Sequence, residues 1–436
     1  MSGAAASRLH AAIARAAPLR PRGRVTRIAG LAIEAALGGV RMGELVEIRT
    51  PGRPSLGAEV VGVREERVVL MPLGELGGVG LDGEVVATGA PLTIRAGEAL
   101  RGRILDGLGR PIDGRPLPAG LEEWAVARPP PPPLARRRIA APLALGVRAV
   151  DALATVGEGQ RLGVFAGPGV GKSTLLGQIA RNTRAELSVI CLVGERGREV
   201  REFVEDALGP GGLERSVVVV ATSDEPALVR REAAHVATAI AEWFAERGAS
   251  VLFMLDSLTR YARAQREVGL AAGEPPARHG YPPSVFAALP RLLERTGSRA
   301  VGAITALYTV LVAGGDLEEP VADEVRGILD GHVVLDRRLA ERGRFPAVDV
   351  LASLSRAMPA VASAGHRGHA ARLRALLAAH ERNRELLAVG AYRSGTDPDT
   401  DLAIERMDAI ERFLRQPPSE RAEYDVTLAS LAELAA

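Results

Sequence analysis

The chain has 436 residues, of which 47% are hydrophobic and 25% charged, the balance of a folded protein of two or three domains. A formal charge of +2 and aromatic residues at 3% supply neither the basic field nor the stacking platforms of a nucleic-acid binder, and no apolar run reaches the roughly 18 residues that cross a bilayer. Cys191 is the only cysteine, which excludes a disulfide framework; its place in the apolar run 187–193 predicts core packing in a cytosolic protein.

From Met1 to Ile33 there is no acidic residue, while Arg8, Arg15, Arg20, Arg22, Arg24 and Arg27 accumulate. Arg15 and Pro18 break the apolar centre that a signal peptide needs, so this stretch is expected to be retained. Within a basic segment over 1–22, Leu9, Ile13 and Ala16 share one face of a short predicted helix. That segment reads either as a surface for anionic lipid or a partner, or as a frayed basic tail. Short β-type runs follow at 45–49, 59–63, 67–70 and 84–87, punctuated by glycine and proline, which predicts a small β-barrel domain over 23–98. Five prolines at 129–133, with Arg136, Arg137 and Arg138 close behind, predict a stiff surface crossing into the core.

The stretch 99–360 alternates strand and helix. Strands are predicted at 161–166, 187–193, 216–221, 250–255 and 300–305, and a helix at 172–181. Near-continuous apolar strands of this kind are buried on both faces, so the expected fold class is α/β, a parallel sheet covered by helices. Beyond 361 the pattern turns helical, at 372–388 and 401–415, and predicts a helical C-terminal domain over 361–436.

Lys172 is the only lysine; the other 54 of the 55 basic side chains are arginine. It lies in Ala166-Gly167-Pro168-Gly169-Val170-Gly171-Lys172-Ser173-Thr174, between a predicted strand and a predicted helix. A compact ammonium on a flexible stem fits a phosphate held in a tight backbone loop, where arginine's wide planar fork does not. The order strand, glycine-rich turn, lysine, hydroxyl, helix is that of the phosphate-binding P-loop. Amides of Gly169 to Thr174 and the helix N-terminus then face phosphate, Lys172 neutralises it, and Ser173 offers a hydroxyl to Mg²⁺. Ala166 stands where a strict loop has glycine, and Pro168 removes one amide. Asp256, at the end of the apolar run 251–255, is placed at the C-terminal edge of its strand, where it can hold the water shell of Mg²⁺. Glu195 follows the strand 187–193, one helix after Lys172. A right-handed crossover can bring it beside the γ-phosphate, where a carboxylate can polarise the attacking water; by spacing alone a solvated charged loop is the better reading.

Taken together, the P-loop, Gly194-Glu195-Arg196-Gly197-Arg198-Glu199-Val200, Asp256-Ser257-Leu258-Thr259-Arg260, Gly273-Glu274-Pro275-Pro276, Gly280-Tyr281-Pro282-Pro283-Ser284 and Ile328-Leu329-Asp330-Gly331-His332 resemble the ATPases of type III protein export, themselves similar to catalytic subunits of rotary ATP synthases. The stretches 306–312 and 319–326 look more like the injectisome branch than the flagellar one.

The resemblance implies a β-barrel N-domain, a RecA-like P-loop core and a helical C-domain in a homohexamer with ATP and Mg²⁺ between subunits. It implies that Glu195 is the catalytic glutamate and that Arg196 senses the γ-phosphate. It further implies that Arg356 is an arginine finger for the neighbouring subunit, and that Phe345 packs on adenine where relatives often carry tyrosine. The expected partners are stator and central stalk proteins, chaperone–substrate complexes, an export gate and the cytoplasmic face of the inner membrane. Nucleic acid is not among them. The leading function is an ATP-driven motor that releases and unfolds secretion substrates. Flagellar export, a rotary synthase subunit, a RecA-like nucleic-acid translocase and a non-catalytic scaffold are the alternatives. The synthase is disfavoured by the export-type motifs and the translocase by charge and composition. Retention of Lys172 and Glu195 counts against the scaffold.

Overall fold

The computed structural model describes residues 20–65, 67–312 and 315–436. The expected helix around Leu9, Ile13 and Ala16 lies outside the described residues. The described residues form two compact units, one of 20–93 with 226–229 and 267–275, the other of the remaining described residues.

The first unit is a closed six-stranded barrel of β1 (Arg22–Ala29), β2 (Ala32–Ala36), β3 (Glu44–Arg49), β4 (Leu56–Arg64), β5 (Arg67–Pro72) and β6 (Glu84–Pro91), in the order β1-β2-β5-β4-β3-β6. Alternation puts Val46 and Ile48 of β3, Val60 of β4, Leu70 of β5 and Val85 of β6 into one apolar core. The four predicted runs fall within β3 to β6. β1 was not legible as a strand because Val25 is its one buried residue, while Arg22, Arg24 and Arg27 are exposed.

The second unit is built on a nine-stranded sheet. Its path begins β17 (Val348–Ser355), β16 (Gly331–Leu335), β10 (Arg161–Ala166), β15 (Ala303–Leu311) and β13 (Ser250–Asp256). It continues through β11 (Leu187–Val193), β12 (Ser216–Ala221) and β8 (Arg103–Asp106), while β14 (Gly297–Ser298) pairs with β15 off this path. Strands β16 to β8 along the path run parallel, and β17 closes one edge antiparallel. β7 (Thr93–Ala96) pairs with β9 (Glu122–Ala125) in a separate ribbon. The expectation for residues 300–305 is corrected: the strand starts at Ala303 and runs to Leu311. Its hydroxyls disguised it. Thr305, Tyr308 and Thr309 are fully buried because each hydroxyl is hydrogen-bonded, to Gly159 N–H, Thr296 and Asp256 respectively.

Helices flank this sheet: α1 (Arg148–Leu153), α2 (Lys172–Asn182), α3 (Gly197–Glu202), α4 (Ala227–Ala245) and α5 (Leu258–Ala271). The C-terminal part consists mainly of α6 (Ala364–Arg382), α7 (Pro398–Leu414) and α8 (Tyr424–Ala435). The helix predicted over 372–388 begins earlier, at Ala364, and is interrupted at Asn383. Leu373 and Leu377 of α6, Ile410 and Phe413 of α7 and Leu431 of α8 share one apolar core with Leu145, Val150 and Leu176, so these helices pack directly on the sheet's flank. Arginine seals the seam. Arg374 donates to the carbonyls of Val350, Leu153 and Ser353, and Arg148 to those of Phe413 and Arg415. The proline run 129–133 is mostly exposed, and the arginines behind it are pinned, Arg136 to Thr296 O at 2.7 Å and Arg137 to Arg299 O at 3.0 Å.

Candidate active site

β10 stops at Ala166 and α2 starts at Lys172, so Gly167 to Gly171 must turn the chain between a buried strand and a helix. Gly169 and Gly171 have φ of +76° and +86°, the left-handed region that glycine alone adopts cheaply. Ala166 is tolerated in place of glycine because it is still strand: it pairs with Leu311 and accepts from Val312 N–H at 3.1 Å. Val170, 1% exposed, anchors the loop in the core, whereas Pro168, Ser173 and Thr174 are exposed.

Parallel order then assembles the chemistry. Because β10, β15, β13 and β11 are neighbours in that order, their C-terminal ends share one edge. Lys172 Nζ there contacts Asp256 Oδ1 and lies 3.5 Å from Glu195 Oε1. Asp256 is 2% exposed and accepts the Thr309 hydroxyl at 2.7 Å. Glu195 follows Gly194, whose φ is +70° and where an added Cβ would come within 2.8 Å of Arg260 Cδ. That close approach lets Arg260 donate to the Gly194 carbonyl and, at 3.2 Å, to Glu195 Oε2.

The other oxygen, Glu195 Oε1, is buried with no hydrogen-bond partner among the described residues. Burial, then the charge of Asp256, pushes the Glu195 carboxyl up to about 7, against the pull of Lys172 and Arg260. Its hydrogen bond with Glu199 raises Glu195 and lowers Glu199. Arg196 is exposed and caps α3, its N–H donating to Glu199 Oε2 at 3.3 Å.

Phe345 lies on the far side of the loop, its ring carbons 3.4 Å from where a Cβ of Gly171 would stand. It walls a pocket of about 260 Å³ lined also by Gly171, Thr174, Leu175, Gln178 and Gln416. Arg356 is not part of this cluster. Its N–H donates to Asp330 O, and Asp330 N–H donates to Arg161 O, each at 2.9 Å, so it sits at the opening of β10. The five steps from Arg161 to Ala166 rise about 16 Å before the loop begins.

These residues fit a nucleoside triphosphate with a divalent cation. Two left-handed glycines open the loop's amides at a helix N-terminus, the Ser173 hydroxyl is exposed beside Lys172, and an unspent carboxylate oxygen faces the same edge. Among the described residues no cluster of three or more His, Cys, Asp and Glu is placed to hold a metal ion.

Residues 146–355 match the nucleotide-binding domain of the ATP synthase alpha/beta family, and 362–433 match the T3SS EscN ATPase C-terminal domain. Over 417 residues, 95% of this chain and 94% of the relative, it is 51% identical to the type 3 secretion system ATPase of Xanthomonas euvesicatoria. It is also 51% identical over 414 residues, 94% of each chain, to the flagellum-specific ATP synthase of Bacillus subtilis. The chain belongs to the family of type III export ATPases. The structure of the assembled ATPase EscN from the enteropathogenic E. coli type III secretion system superposes with a TM-score of 0.90 at 45% identity, covering 95% of this chain and 100% of that one. A second structure, of EscN in complex with its central stalk EscO, superposes at 0.88 and the same identity, again over 95% of this chain and 100% of that one.

This export ATPase therefore hydrolyses ATP. Among its described residues no helix is long and apolar enough to cross a membrane. Two site residues escaped the sequence reading. Arg260 stands four positions after Asp256, in the first turn of α5, a spacing that places it near the site. Thr309 is hidden in a buried strand, and no local signal reveals it.

Proposed function

We propose that this ATPase works as a homohexamer that powers type III secretion of the injectisome branch, releasing and unfolding chaperone-bound substrates at the cytoplasmic face of the inner membrane. The observation that carries the catalytic part is the buried, unbonded Glu195 Oε1 beside Lys172 and Asp256. In this reading the loop from Gly167 to Thr174 cradles the phosphates and Lys172 neutralises the β- and γ-oxygens. The ionised Glu195 orients the attacking water and accepts its proton, held at that angle by Arg260. Ser173 directly, and Asp256 through the ion's water shell, would hold Mg²⁺, which would supply positive charge against the charge that develops on the phosphates. Arg196 reads the γ-phosphate, and Phe345 stacks on adenine.

Arg356 stabilises transition-state charge across a subunit boundary. Its place at the opposite end of β10 from its own loop supports a role in trans. The solved complex of EscN with its stalk supports a central stalk as one partner. Stator proteins, the export gate and anionic lipid, met by the basic segment 1–22, complete the set.

Glu195→Gln tests the core of the proposal. Nucleotide binding should persist, by fluorescent-nucleotide titration, while single-turnover hydrolysis is lost; normal turnover per bound ATP would make Glu195 structural. The equal identity to a flagellar relative makes flagellar export the second reading. Rescue of motility rather than secretion in deletion strains would select it.

A further inference from the structure

The pocket beside Phe345 has a second wall that comes from the C-terminal helices, and one residue holds the two walls together. Residues 415–423 connect α7 to α8. This strap lies along α2: Arg181 donates to Pro418 O at 2.7 Å, Asn182 to Glu420 O at 3.2 Å, and Gln178 to Pro417 O at 3.4 Å. Pro418 thereby lines the same pocket as Phe345.

Gln416 is 2% exposed and its amide is fully committed. Its Oε1 accepts from Arg148 N–H at 2.9 Å, and its Nε2 donates to Gly146 O at 2.9 Å and to Glu420 O at 3.0 Å. Its main-chain N–H donates to Phe345 O at 2.9 Å. With both amide hydrogens used inside the protein, the oxygen already accepting and the residue 2% exposed, this side chain offers no donor to the edge of a base. Whatever Gln416 does for the nucleotide, it does by placing other groups.

We propose that Gln416 is a positioning residue for the base: its main-chain bond to Phe345 and its side-chain bonds to Gly146, Arg148 and Glu420 hold Phe345 and the strap bearing Pro418 in fixed register around the pocket they both line. This rests on the reading of Phe345 as the base-stacking residue. In this reading the phosphates are held by the loop's own amides and Lys172, none of which bonds to Gln416, so losing Gln416 should fall mainly on the base. Arg148 supports the strap from the core side, through Phe413 O at 2.8 Å, Arg415 O at 2.6 Å and the Glu420 carboxylate.

The experiment measures the dissociation constants of ATP and of inorganic tripolyphosphate, which has no base, on full-length protein carrying Gln416→Ala, Arg148→Ala or Phe345→Ala. Circular dichroism and sizing verify the fold of each variant. Gln416→Ala should weaken ATP about tenfold, the scale of one lost buried hydrogen-bonded anchor, and leave tripolyphosphate within twofold of the parent. KM for ATP should follow while kcat stays within twofold. Arg148→Ala should show the same split, which keeps the test open if Gln416→Ala does not fold. Equal loss of ATP and tripolyphosphate would show general damage to the loop and overturn the proposal. If Phe345→Ala shows the split and the Gln416 and Arg148 variants bind ATP normally, the base slot stands and the role of Gln416 falls. If Phe345→Ala binds ATP normally, the base-stacking reading fails and the inference with it.

Discussion

Replacing Arg356 by alanine separates an active site complete within one chain from one shared between two. Within a chain its backbone is beside Asp330 and Arg161, at the opening of β10. The strand then climbs about 16 Å before the P-loop starts, farther than one arginine side chain can bridge. The guanidinium is exposed and makes no hydrogen bond or ion pair among the described residues, so its removal should leave the melting temperature unchanged. Loss of a transition-state arginine costs roughly three to five orders of magnitude in rate. At 1.36 kcal/mol per decade that is about 4–7 kcal/mol of barrier. A surface salt bridge would be worth no more than about 1 kcal/mol, less than tenfold, so the size of the effect distinguishes the two roles. The assay is steady-state ATPase across a dilution series, with sizing chromatography on the same samples. Specific activity should fall as the assembly dissociates. Mixing Arg356→Ala with Lys172→Ala chains should restore part of it, because some interfaces then pair an intact loop with an intact finger. Constant specific activity through dissociation, or an Arg356→Ala enzyme within tenfold of the parent, would refute the trans assignment.

Lys172→Arg should be as inactive as Lys172→Ala with an unchanged circular dichroism spectrum, since the fork does not fit the cradle although the charge is kept; an active arginine variant would remove the argument for a point charge. With burial first, then Asp256 and Glu199, raising the Glu195 carboxyl to about 7 against Lys172 and Arg260, kcat/KM should climb as pH rises through about 7 and the carboxylate forms. That acid limb should be missing from the residual activity of Glu195→Gln; the same limb in both enzymes would assign it to another group. Glu242 is 1% exposed and pairs with Arg295 at 2.8 Å and Arg299 at 3.3 Å, both buried. Glu242→Ala should therefore strand the buried Arg295 and leave Arg299 only Glu246, at 3.4 Å, destabilising the fold by about 3–5 kcal/mol, read as a clear drop in thermal midpoint; an unchanged midpoint would mean that Arg295 finds another partner.

Local chemistry made much of this protein legible without its fold. The lone lysine among 54 arginines, set in a glycine turn, marked the phosphate site, because a cradled phosphate selects side-chain shape as well as charge. The apolar runs at 161–166, 187–193 and 216–221 match β10, β11 and β12 residue for residue, since strands buried on both faces must be continuously apolar. Pairing across distance was not legible. That Lys172, Glu195 and Asp256 meet follows from strand order in the sheet, which the runs themselves do not encode. Thr309 and Gln416 look like surface polar residues in the sequence. They are buried because tertiary neighbours, Asp256 for one and Gly146, Arg148, Phe345 and Glu420 for the other, satisfy every hydrogen bond that burial would otherwise leave open. The same long-range order places Arg356 at the opposite end of β10 from its own P-loop, a separation no local motif could state.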